Sequence, residues 1–240
     1  MAKPSPRHGG AKCVRTILRI DHRFRKSMIN TSSLSHLIAT LLSIAGLVVL
    51  VIRAATYATA IYVVSVVIFG VVLILLYLAS TIYHLIPPEH PRKDLFKILD
   101  RSMIYTLIAG SYTPLALLVL PPAWGWSILG VIWGLALVGI SLKIFRVRTP
   151  RWLPTFMYLL MGWLVIIAFV PLRTSLSPMG IFWLAIGGIL YTAGTLFFAL
   201  SSHKNYRPKY RWFTFHDAFH ILAMSGSMSH FWFMFHFVLP

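Results

Sequence analysis

Apolar residues fall along this chain in long blocks rather than in the short periodic runs of a soluble protein. Residues 37–52 and 61–78 form two such blocks, the second without a single charge. A helix needs about 20 mostly apolar residues to cross the hydrocarbon core of a bilayer, so these blocks predict membrane spans. No alternation of apolar and polar positions suggests a barrel, and helices and closed barrels are the structures that satisfy their backbone within lipid. Seven helices are predicted, over about 34–52, 61–84, 100–120, 124–145, 152–171, 178–200 and 214–239. The breaks carry proline at Pro87-Pro88, Pro121-Pro122, Pro150, Pro171 and Pro178, where it ends or reshapes a helix. Trp124, Trp126, Trp152 and Trp212 fall near predicted ends, the place amphipathic rings take at a membrane interface.

Charge turns the set of spans into a topology. The N-terminal arm, residues 1–33, holds Lys3, Arg7, Lys12, Arg15, Arg19, Arg23, Arg25 and Lys26. Arg92, Lys93, Lys97 and Arg101 lie between the second and third spans, and Lys143, Arg146, Arg148 and Arg151 between the fourth and fifth. Lys204, Arg207, Lys209 and Arg211 lie between the sixth and seventh, leaving only Arg53 and Arg173 for the opposite side. Cytoplasmic loops carry the excess of lysine and arginine. The reading is an all-α membrane protein, a seven-transmembrane helix bundle (residues 34–240) with a cytoplasmic N-terminus and the C-terminus outside, set in the cell membrane.

Composition agrees: 58% of the 240 residues are hydrophobic and 11% charged, against about a quarter charged in soluble domains. The net charge of +17 would suggest nucleic acid in a soluble protein. Here the loops account for it, and anionic lipid headgroups are the expected partners, with no nucleic acid. Cys13 is the only cysteine, which excludes an intrachain disulfide and a cysteine-based zinc site. Residues 1–33 show no short apolar core ending in a cleavage site, so no cleavable signal peptide is expected.

Polar groups near spans are costly and therefore informative. Ser80 and His84 end the second span, Asp100 is read at the start of the third, and His216 and His220 open the seventh. Residues four apart share a helix face. The alternation of spans brings all five to the cytoplasmic ends of their helices, at one depth. Three imidazoles and an acid match catalytic zinc sites, in which three protein ligands leave one position for water. Zinc lowers the pKa of such a water to about 7. Each group also has a plainer account. A histidine pair can hydrogen-bond to neighbouring helices, Ser80 can do the same, and Asp100 can answer a helix N-terminus. The pattern differs from the zincin His-Glu-x-x-His, because its second residue is Asp217, which is not read as a base. His36, His230 and His236 are read as non-ligands; His230 lies about 15 Å beyond His220 by helical rise. Asp21, Glu89 and Asp94 are read as loop residues, and 110–114 as a proline-adjusted packing segment.

Ser-Thr-Ile-Tyr-His at 80–84, Leu-Asp-Arg-Ser at 99–102, Ile-Ala-Gly-Ser-Tyr-Thr-Pro at 108–114 and His-Asp-Ala-Phe-His at 216–220 together resemble the haemolysin III family. That is the bacterial branch of the progestin and adiponectin receptor proteins, with alkaline ceramidases in the wider group. The likeness runs from about residue 30 to 240 and includes Asn30, His36 and His230, without the acidic residue that often precedes the first of these. The resemblance implies an intramembrane zinc near the cytoplasmic face, held by His84, His216 and His220. It implies that Asp100 holds or deprotonates the water there and that Ser80 supports the site or a substrate carbonyl. A zinc-dependent hydrolase of lipid amides or esters is the leading expectation. A lipid-responsive sensor with structural zinc is the second, and a pore-forming cytolysin the weakest, because such toxins are usually secreted as soluble chains. A transporter would place its polar groups nearer the midplane.

Overall fold

The structure is a computed structural model and describes residues 31–57, 59–201 and 214–240. The arm 1–30, with Cys13, Asp21 and Asn30, and the stretch 202–213, with Lys204, Arg207, Lys209, Arg211 and Trp212, lie outside the described residues.

Every regular element among the described residues is a helix, without strands. The helices are α1 (Thr31–Tyr57), α2 (Ala60–Leu85), α3 (Lys93–Pro114), α4 (Pro122–Ile144), α5 (Trp152–Trp163), α6 (Phe169–Ser175), α7 (Pro178–Ser201) and α8 (Phe215–Phe233). A 3₁₀ segment, Leu164–Ala168, joins α5 and α6 into one continuous span, Trp152–Ser175. Among the described residues six helices are long and apolar enough to cross a membrane, and the shortest, Pro122–Ile144, has 23 residues. At 1.5 Å per residue it reaches about 35 Å, more than the roughly 30 Å hydrocarbon core.

The bundle presents its apolar residues outward. Leu42 is 67% exposed and Val170 74% exposed, while Ser65, Ser80, Thr81, Ser102 and Thr113 are buried. A surface facing lipid gains nothing from hiding leucine, but a hydroxyl there needs a partner. Thr40, Ser65, Thr81 and Thr113 each donate to the carbonyl four residues back, on His36, Ile61, Tyr77 and Ala109.

Two prolines interrupt regular winding. Pro114 ends α3 and is followed by a π-helical turn, Leu115–Val119. Gly125 of α4 lies against that turn, where a Cβ would collide with the carbonyl oxygen of Ala116. Pro171 lacks the N–H that would close the turn before it, and the 3₁₀ segment precedes it. Tyr112 of α3 answers the groups this disturbs: its hydroxyl donates to the Gly162 carbonyl at 2.9 Å and accepts from the Val165 N–H at 2.9 Å.

Two element boundaries depart from the sequence reading. The helix bearing Asp100 begins at Lys93, so Asp100 is well inside it and Asp94 occupies its first turn instead of a loop. Asp94 favours that position because helix N-termini carry partial positive charge. The Lys93 ammonium then donates to the carbonyls of Tyr83 and Ile86 at the end of α2. The fifth span passes through Pro171 to Ser175.

α1 packs on α2, α2 on α3, α3 on α4, and α7 on α8. The first and last helices run parallel, tied at both ends: Ser32 Oγ donates to Asp217 Oδ1 at 3.0 Å, and Arg53 Nε to the Pro240 carbonyl at 3.1 Å.

A candidate metal centre among four histidines

The α8 N-terminus is built by Thr214 and Asp217. The Thr214 hydroxyl and N–H both donate to Asp217 Oδ2, at 2.7 and 2.8 Å, and the Asp217 N–H returns a bond to Thr214 Oγ1 at 3.2 Å. This capping box starts the helix at Phe215, so His216 enters on its first turn and His220 one turn later. Asp217 spends its oxygens on Thr214 and Ser32, and its role is to begin the helix and hold it to α1.

All five residues singled out from sequence gather at this end of the bundle. The His84 ring lies 5.2 Å from that of His220 and 5.5 Å from that of His216, centroid to centroid. His216 and His220 share a hydrogen bond between their Nε2 atoms at 2.9 Å, one ring donating and the other accepting. Ser80, Asp100, His216 and His220 line one cavity, and the Ser80 hydroxyl sits against the Asp100 carboxylate.

The structure adds His36, which the sequence reading set aside. Its ring meets His220 edge-on at 4.1 Å and stacks on His84 at 5.6 Å with an interplanar angle of 6°. The alternation that put the other residues at one depth would have found it, since His36 also begins a span on the basic side.

One nitrogen from each of His36, His84 and His220 lies within 4.8 Å of the others, so these three histidines could hold a metal ion. Their hydrogen bonding fits that use. Both ring nitrogens of His36 and Nε2 of His84 are buried without partners. A buried polar atom normally finds a partner, and leaving one without costs about 1–3 kcal/mol. Converging imidazole nitrogens are the donor set that intermediate divalent cations take.

His230 and His236 stand apart from this cluster. His230 is buried beside the Leu184 backbone and fills the notch left by Gly187, where a Cβ would collide with its ring. His236 packs on Trp232 at 4.0 Å. The 110–114 stretch packs as read: Thr113 accepts from Trp133 Nε1 at 3.2 Å, and a Cβ on Gly110 would press on Val72. Ser111 also faces the cavity.

Beyond the histidines the cavity continues between apolar walls. Its part beside them measures about 120 Å³, and a second part of about 250 Å³ follows, lined by Leu115, Val165, Phe169, Leu172 and Ile181. Ser111, Tyr112, Trp163 and His230 border both.

Comparison with known proteins settles the lineage. A profile described as "Haemolysin-III related" matches residues 23–231. The chain belongs to the haemolysin III family. It is 50% identical over 167 residues to the hemolysin-3 homolog of Bacillus subtilis (strain 168), covering 70% of this chain and 78% of that protein. It is 41% identical over 210 residues to hemolysin-3 of Bacillus cereus, covering 87% and 91%. Membership in the haemolysin III family and six apolar helices together make it a multi-pass membrane protein.

Proposed function

We propose that this haemolysin III protein is a zinc-dependent hydrolase that cleaves an amide or ester bond of a membrane lipid within its bundle. The observation that carries the reading is the convergence of His36, His84 and His220, with three buried nitrogens of His36 and His84 lacking partners, at one end of a largely apolar cavity that His36, His216 and His220 line. A polar end and an apolar length suit a lipid whose carbonyl reaches the histidines while its chain fills the rest.

His84 and His220 are zinc ligands in this reading; the family resemblance supplies His216 as the third, while the nitrogens that converge with theirs belong to His36, which lies edge-on to His220. Bound zinc supplies Lewis acidity and makes water acidic enough to react near neutral pH. Asp100 orients the attacking water and takes its proton. Water oxygen bonds to the carbonyl carbon, the carbon–nitrogen or carbon–oxygen bond breaks, and the proton passes from Asp100 to the leaving amine or alkoxide. Ser80 donates its one hydroxyl hydrogen to the Asp100 carboxylate and so fixes it.

The same proposal takes α8 as a seventh span and the basic loops as cytoplasmic. The parallel course of α1 and α8 supports this, because an odd number of crossings is needed for first and last spans to point the same way. The count of basic residues supports the orientation. Lipid hydrolysis would also connect the chain to the names of its Bacillus relatives, since degraded lipid weakens a red-cell membrane without a protein pore.

The test is zinc content and turnover on purified protein, with ceramides and phospholipids as substrates. The expected result is about one zinc per chain and release of fatty acid, with Asp100→Asn abolishing release while keeping the metal. Bound zinc without turnover on any of these lipids would replace the hydrolase with a lipid-responsive regulator.

A further inference from the structure

A second site lies on the bundle surface, on the other side of Arg101. The face of α3 bearing Asp94, Lys97, Ile98 and Arg101 meets the end of α4 at Leu142 and Lys143 and the turn at Arg146 and Val147, enclosing a groove. Positions 94, 97, 98 and 101 recur at three- and four-residue spacing, so they share one helix face. The groove collects four cations and one carboxylate over a floor of Ile98, Leu142 and Val147. Among the described residues none of the four cations is joined to a carboxylate in an ion pair.

The backbone supports the same placement. α4 ends in a Schellman motif, with the Arg146 N–H donating to the Lys143 carbonyl at 3.2 Å and the Val147 N–H to the Leu142 carbonyl at 3.1 Å. The residue that must turn left-handed in this motif is usually glycine, yet here it is Arg146 at φ 51°. Among the described residues no other non-glycine residue has a positive φ. A strained arginine where glycine would be relaxed is a cost that its charge in the groove would offset.

We propose that this groove binds the phosphodiester headgroup of an anionic phospholipid. A general excess of cytoplasmic cations accounts for basic loops, but not for their convergence in a concave site with an apolar floor at the end of two spans. That combination matches a headgroup phosphate and the glycerol and first methylenes beneath it. Free phosphate would use the cations but not the floor. Arg101 also lines the histidine cavity, so the headgroup and the occupant of that cavity are separated by one side chain. The proposal needs only the membrane-spanning bundle and stands or falls independently of hydrolysis.

The experiment uses the full chain in neutral detergent, titrated with phosphatidylglycerol or with phosphatidylcholine of the same acyl chains, and reads retained lipid by native mass spectrometry and thermal unfolding. Phosphatidylglycerol should bind and stabilise, and phosphatidylcholine and inorganic phosphate should do neither. Arg146→Gly relaxes the turn while removing one charge. It should fold at least as stably without lipid and bind phosphatidylglycerol about fivefold more weakly, as expected for one cation. Lys97→Gln with Lys143→Gln should weaken binding further, whereas Arg148→Gly and Arg92→Gln, outside the groove, should leave it near the original value. Unchanged affinity in Arg146→Gly, equal losses in the Arg148 and Arg92 controls, or equal stabilisation by inorganic phosphate would each overturn the proposal.

Discussion

α8 carries two polar clusters, and they are built on opposite terms. Seven residues beyond His220 on the same helix, Ser227 accepts from the hydroxyls of Tyr77 of α2 at 2.6 Å and Tyr191 of α7 at 2.8 Å, and donates to the Ala223 carbonyl at 3.1 Å. Every hydroxyl in that group has a partner, and the group fastens three helices together. At the histidine cluster, three buried nitrogens on two rings have none. Both clusters lie in the same bundle and face the same desolvation cost. The satisfied one has done its work once the helices are packed, whereas the unsatisfied one is complete only with something that accepts from or binds to imidazole nitrogen.

The largest effect that would sharpen this contrast is on metal. His84→Ala combined with His220→Ala should take bound zinc from about one per chain to near none by elemental analysis. The thermal unfolding profile of the metal-free protein should change little, since neither ring nitrogen set holds helices together. Retained zinc in this variant would end the ligand assignment. His36→Ala comes next. As a neighbour that positions His220, it should weaken zinc about 10–100-fold in competition with a chelator without abolishing it. His216→Ala should lose the metal outright. If the two variants behave the other way round, His36 is the third ligand and His216 the supporting ring.

Ser227→Ala reverses the logic. It strands two buried tyrosine hydroxyls and should destabilise the fold by about 1–2 kcal/mol in detergent unfolding, with zinc affinity unaltered. Loss of zinc together with stability would mean that the two clusters are one unit. The smallest effect belongs to Thr214→Ala, which removes a cap at the helix start and should cost about 1 kcal/mol. Because Asp217 then loses a partner but no ring moves far, zinc should stay bound.

Much of this was legible beforehand, for reasons particular to a membrane. The spans were readable because length and apolarity are properties of a continuous stretch. The gathering of Ser80, His84, Asp100, His216 and His220 at one end followed from alternating helices across two surfaces. Thr214 and Asp217 were also readable as a capping box, at the standard spacing of Ncap and N3. The likeness of 216–220 to a metalloprotease pattern drew attention to Asp217 as a doubtful base instead. The start of α3 at Lys93 was harder to see, because its first two turns are charged and resemble a loop, and their helical state depends on Lys93 reaching the end of α2.

By itself, then, the sequence determined that the chain is a helical multi-pass membrane protein, where its long apolar helices lie, and that its costly polar residues collect at one end of them. These are one-dimensional facts: hydrocarbon thickness sets span length, and charge sets sidedness. Only the tertiary structure decided that His36 turns inward to join the cluster, that Asp217 is consumed by Thr214 and Ser32, and that Arg146 bends left-handed into a basic groove. Those outcomes depend on the rotation of each helix about its axis and on which neighbour it meets. Packing fixes both, through close approaches such as Gly125 against Ala116 and ties such as Ser32 to Asp217.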